Sequence, residues 1–170
     1  MSCNKYTSKA FISGALEEGH AEASSYYLHP AMPAEAFVPA NAFDDTNEIW
    51  ASDRSGFPHY IWMRYPHTHV LEKITVTVRQ NNQGPKSFDV VDSMNGVDWT
   101  ILLSVDMAFP NNDSVSTKSW FVPTRHSFSC LGLKAKSTYG GRQFVDIKRI
   151  RMFANSNTMC RKKRGTLLVL

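Results

Sequence analysis

Leu71-Glu72-Lys73-Ile74-Thr75-Val76-Thr77-Val78-Arg79 separates its side chains with a period of two: Leu71, Lys73, Thr75, Thr77 and Arg79 fall on one side, Glu72, Ile74, Val76 and Val78 on the other. β-Branched residues dominate it, and this is the pattern of a strand with one face turned to a core. Ile74, Val76 and Val78 are therefore expected to point inward. Shorter runs of the same kind recur at 60–65, 87–92, 99–105, 128–136 and 146–153, each bounded by clusters of Gly, Pro, Asn or Asp. Many short strands with that punctuation predict an all-β sandwich or barrel. Turn chemistry places loops at Asn81-Asn82-Gln83-Gly84-Pro85, Met94-Asn95-Gly96, Phe109-Pro110-Asn111-Asn112-Asp113 and Tyr139-Gly140-Gly141. The stretch 24–39, with three prolines, reads as one long ordered loop, and loops of that length are often functional.

A chain of 170 residues suits one domain. We expect that domain over 1–160 and a basic tail over 161–170, which begins with Arg161-Lys162-Lys163-Arg164. No apolar run approaches the about 18 residues that a membrane span needs. The net charge of +4 is not gathered into one stripe interleaved with aromatics, so nucleic acid is not an expected partner. Three cysteines, Cys3, Cys130 and Cys160, are too few and too scattered for a zinc site. Cys3 and Cys160 stand near opposite ends and offer a disulfide that would close almost the whole chain; Cys130, in an alternating run, reads as a small buried hydrophobe. The start, Met1-Ser2-Cys3-Asn4-Lys5-Tyr6, lacks the features of a secretory leader. The expected location is extracellular or secreted with the leader already removed, the alternative being cytoplasmic and leaderless.

Further pieces fall in a recognisable order. Ala23-Ser24-Ser25-Tyr26 ends a first short strand, and Asn41-Ala42-Phe43-Asp44-Asp45-Thr46-Asn47-Glu48-Ile49-Trp50 forms a polar loop leading to tryptophan. Tyr60-Ile61-Trp62-Met63-Arg64-Tyr65 and the strand at 71–79 follow, and then Ser93-Met94-Asn95-Gly96-Val97-Asp98-Trp99 carries the pattern Ser-x-Asn-Gly-x-x-Trp. This order resembles the discoidin family, also known as the coagulation factor V/VIII type C domain, and the related galactose-binding-like carbohydrate modules. The resemblance runs from Cys3 to Cys160. It implies a jelly-roll β-sandwich that holds a ligand in its end loops and catalyses nothing. The chain departs from the family pattern at Asp45, where Gly is usual, at Arg64, where Asp is frequent, and in the last run 149–154, which lacks a Glu that often completes a calcium site.

The resemblance places ligands between three loops, held here by Tyr26, Tyr27 and His29; by Asp53, Arg54, Phe57 and His59; and by Tyr139, Arg142 and Phe144. Such a mixture suits a sugar, whose C–H face stacks on an aromatic ring while its hydroxyls exchange hydrogen bonds with Arg, His and Asp. Galactose-type glycans are the expected partner, in a lectin or cell-adhesion role, and weak single-site affinity implies a homo-oligomer or clustered display. The rival partners are an anionic membrane surface, for which Tyr26, Tyr27, Leu28 and Met32 would be the inserting tips, and another protein. Asp44, Asp45 and Glu48 offer hard oxygen ligands to a structural calcium, or else cap a polar turn. Trp50 and Trp99 are expected in the core, with Trp62 and Trp120 undecided. His67-Thr68-His69 could touch one metal but has no third ligand nearby in sequence. Nucleophile elbows, phosphate loops and zinc signatures are absent, so no enzyme is expected.

Overall fold

The computed structural model describes residues 10–12, 19–80, 82–112, 114–122 and 127–154. Cys3, Cys160, the basic tail 161–170, His126 and the side chain of His67 lie outside them. Among the described residues ten strands follow in chain order: β1 (Ala10–Ile12), β2 (His20–Ala23), β3 (Trp50–Ala51), β4 (His59–Val78), β5 (Ser87–Ser93), β6 (Thr100–Val105), β7 (Ser116–Phe121), β8 (Ser127–Ser137), β9 (Asp146–Ile147) and β10 (Arg149–Ala154). Every pairing is antiparallel, and the architecture is a jelly-roll β-sandwich. One layer runs β2-β4-β8-β5-β6 and the other β1-β10-β4-β7, so β4 belongs to both; β3 and β9 form a separate short ladder.

The two runs expected at 60–65 and 71–79 are thus a single strand of 20 residues. Its first half pairs with β2 and β8, from His59 opposite Ala135 to Arg64 opposite Cys130. Between Arg64 and His69 the ladder to β8 skips, and Pro66 and Thr68 stand exposed at the bend. A proline fits there because it has no N–H to donate to a ladder. Its second half pairs with β10 and β7. Opposite β10, Leu71 pairs with Ala154 and Lys73 with Phe153, which leaves Glu72 as the extra residue of a bulge. The bulge lets Leu71 turn inward together with Ile74, Val76 and Val78, all four being 1% exposed or less.

The core between the layers holds Trp50, Phe88, Phe109, Phe128, Leu131, Leu133 and Ile147 among others. Trp120 joins from β7, its ring edge-on to Phe88 at 5.1 Å and to Phe109 at 6.0 Å. Trp50 is in the core as expected, but Trp99 is not. It lies half-buried on the outer face of the larger layer, 5.4 Å from the ring of Trp62. Gly132, which pairs with Trp62 across the ladder, presents no side chain that would keep Trp62 off the sheet. Cys130 is fully buried with a free thiol.

The long loop after β2 closes with two short 3-10 turns, Ala34–Phe37 and Pro39–Ala42. Asn41, 7% exposed, anchors it: Nδ2 lies 3.1–3.2 Å from the carbonyl oxygens of Glu35, Ala36 and Ile49. Asn41→Ala strands these acceptors without a donor, and a buried unsatisfied group costs on the order of 2 kcal/mol. Urea unfolding should show that loss as a lower midpoint with unchanged slope; an unshifted midpoint would mean that the loop holds without Asn41.

Candidate functional site

Three loops meet at the end of the sandwich where β2 finishes and β4 begins. The segment after β2 is fastened from both sides: Ser24 N–H donates to the Tyr60 carbonyl (2.9 Å), and Tyr27 N–H to that of Ala51 (2.8 Å). The buried Trp50 indole donates to the Ser25 carbonyl (3.1 Å), and Asp53 N–H reaches the Ser25 hydroxyl (3.3 Å). The segment before β9 is riveted to the one after β3, because Ser52 N–H donates to the Val145 carbonyl (2.9 Å) and Val145 N–H to the Ser52 hydroxyl (3.0 Å). His59, at the first position of β4, lies with Nε2 2.9 Å from the Gln143 carbonyl oxygen.

On this floor a row of rings and guanidinium groups is assembled. Arg54 has its guanidinium carbon 5.6 Å from the Tyr27 ring centre and 5.7 Å from that of Phe144. Arg142 lies over the same Phe144 ring at 5.8 Å. Tyr27 is flanked by His29 (5.9 Å) and Phe37 (5.7 Å). His29 Nδ1 accepts from Ala31 N–H (3.1 Å), which leaves Nε2 for other contacts. Tyr26 is exposed at 41%. The Asp53 carboxylate accepts the N–H and hydroxyl of Ser55, and those bonds hold it below the usual carboxylate range. Stacked on rings, a guanidinium keeps its in-plane N–H donors for a ligand.

Two of the expected ligand residues lie elsewhere. His59 is 1% exposed, with its ring 5.0 Å from Phe57, so it props the loop from beneath and cannot touch a bound molecule directly. Tyr139 donates its hydroxyl to the Phe109 carbonyl (2.7 Å) and lies beneath Lys86, and it is thereby tied to the loop after β6. Sequence analysis missed Phe37, which backs Tyr27, and Ser25 and Ser52, which lock the loops. The only signal was two serines beside the Tyr26-Tyr27 and Trp50 segments.

The trio Asp44, Asp45 and Glu48 does not fit calcium. Asp44 caps a turn through Thr46, accepting its N–H (3.0 Å) and hydroxyl (2.6 Å). Asp45 is neutralised by Arg151 at 2.7 Å and Arg149 at 3.6 Å, and the Arg151 hydrogen bond holds its carboxyl below the ordinary value. Two guanidinium groups supply the positive charge that the ion would bring. Among the described residues no three His, Cys, Asp or Glu side chains gather to hold a metal. His69 packs its ring against Tyr65 (5.1 Å) and Phe128 (6.2 Å).

One ionisable group lies below the site. Asp146, on β9, is 2% exposed; Arg79 approaches one carboxylate oxygen at 3.7 Å while the other has no hydrogen-bond partner. Burial pushes its pKa up to about 6, against the pull of Arg79 and Arg142.

The sequence profile of the F5/8 type C domain matches residues 20–147, from β2 through β9. The chain belongs to that family. No curated protein matches this F5/8 type C domain. Solved structures share its fold. CpGH89CBM32-5 from Clostridium perfringens, in complex with GalNAc-β-1,3-galactose, superposes with a TM-score of 0.64 at 19% identity, covering 80% of this chain and 95% of that one. The family 32 module from NanJ of the same organism, in complex with galactose, gives 0.61 at 16% identity over 79% and 93%. The chitosan-binding module 1 of a Paenibacillus chitosanase/glucanase gives 0.62 at 15% identity over 81% and 96%. All three are carbohydrate-binding modules. At these identities the likeness carries the fold alone.

Proposed function

We propose that this F5/8 type C domain is a non-catalytic glycan-binding module that seats a sugar on Tyr27, Arg54, Arg142 and Phe144. The observation that carries the proposal is the placement of Arg54 between the rings of Tyr27 and Phe144, brought from three separate loops. A pyranose meets such a surface with its C–H face on a ring and its hydroxyls on the guanidinium donors. Tyr26 and His29 extend the rim. The sugar-binding neighbours, among them galactose and chitosan binders, favour this class of ligand. Exposed hydroxyls trade water bonds for protein bonds with little gain, so each site binds weakly. The module then works through several copies displayed together at a cell surface or in a secreted protein.

A glycan array carrying the purified domain tests this. Selective binding is expected, and Arg54→Ala should lower it at least about tenfold, the loss of 1.4 kcal/mol or more. Arg54 is exposed, so the variant should unfold at the wild-type temperature. A blank array at high protein density would remove the proposal. Leu28 and Met32, exposed at 63% and 46% beside this rim, make membrane insertion the rival; capture by phosphatidylserine vesicles with a blank array would select it.

A further inference from the structure

We propose that the sugar recognised at this end is acidic, carrying a carboxylate or sulfate that Arg54 and Arg142 clamp together. The inference rests on the glycan-binding reading above and names its ligand class. Several other cations are ion-paired: Arg64 with Glu22 at 2.9 Å, Lys136 with Asp89 at 2.7 Å, and Arg149 and Arg151 with Asp45. Among the described residues neither Arg54 nor Arg142 forms an ion pair. Asp53 spends an oxygen on both donors of Ser55, and the nearest approach to the buried Asp146 is that of Arg79 at 3.7 Å, with Arg142 acting on it only through its charge.

Two guanidinium groups therefore approach one aromatic ring, at 5.7 and 5.8 Å from the centre of Phe144. Like charges gathered at one ring favour the approach of an anion. A planar fork of N–H donors matches the paired oxygens of a carboxylate or sulfate better than it matches single hydroxyls. There is also space for such a group. At Gly140 and Gly141, beside Arg142, an added Cβ would meet nothing within 4 Å. A neutral sugar would use the rings and leave the positive charge uncompensated, and a cationic one such as glucosamine would be repelled.

The test is calorimetric titration of the intact protein with galactosyl-β-1,4-N-acetylglucosamine, with its 3-sulfated and 3-sialylated forms, and with chitosan oligomers. The sulfated and sialylated forms are expected to bind at least tenfold more tightly than the neutral parent, an advantage that shrinks at high salt, and chitosan oligomers should bind weakest. Arg54→Gln with Arg142→Gln should erase the preference for acidic forms, whereas Tyr27→Ala should weaken neutral and acidic sugars alike. Equal affinity for neutral and acidic forms would overturn the acidic specificity and leave the glycan reading in place. Tighter binding of chitosan would do the same. Failure of every sugar to bind would overturn both.

Discussion

Gly132→Ala is expected to be the most damaging single-methyl change in the domain. Gly132 sits mid-strand in β8, paired with Trp62 of β4 on one side and Val91 of β5 on the other. A Cβ there would fall almost on the Ile61 carbonyl oxygen and within 2.5 Å of Trp62 Cβ and 2.6 Å of Trp62 Cα. None of these atoms is the end of a flexible side chain, so relief requires that two ladder strands move apart. Alanine narrows the unfolded ensemble and so contributes about 0.4–1 kcal/mol in its favour. Overpacking that only backbone movement relieves costs about 3 kcal/mol or more, and wins. The melting temperature should drop by on the order of 10 °C. A variant melting with wild type would show that β4 and β8 have slack at this point.

The second large effect has the opposite sign. Asp146 has its folded pKa raised from 3.8 to about 6 by burial, so the native state holds its proton more tightly than the unfolded chain. Its cost is absent below the unfolded pKa, grows between about pH 4 and 6, and is complete above. At about 1.4 kcal/mol per pH unit this amounts to on the order of 3 kcal/mol at neutral pH. Asp146→Asn keeps the shape and removes the charge. Arg79, 53% exposed, loses its partner to water at small cost. The variant should therefore be more stable by about 2–3 kcal/mol at pH 7.5 and close to wild type at pH 4, as read from urea midpoints. An Asn variant weaker than wild type at pH 7.5 would mean that the Arg79 contact outweighs the burial of the charge.

What sequence analysis could reach depended on how local the signal was. The inward row Ile74, Val76 and Val78 needs nothing beyond a period of two. By contrast β7, Ser116–Phe121, went unseen because its outer residues Thr117 and Ser119 bond across to Thr77 and Thr75 and only Trp120 packs inward. An edge strand of that kind has almost no apolar alternation to show. Trp99 was misplaced because its position depends on the room above Gly132, a property of a neighbouring strand. The loops carrying the candidate ligand residues were visible through the family pattern. The contacts that sort those residues join positions 84 and 93 apart in sequence, as between His59 and Gln143 or Ser52 and Val145. The partners that take Asp45 from any cation lie 106 residues from it in the case of Arg151.

Because β4 runs through both layers, the sandwich has no seam along which one sheet could peel while the other survives. Opening either layer pulls on the same 20-residue strand, which makes the two halves one cooperative unit. The first residue of that strand is His59, beneath the loops that carry Arg54 and Phe144. The proposed sugar seat is therefore anchored to the strand that both layers share, and on that reading a tug on a tethered glycan would be borne by the whole domain.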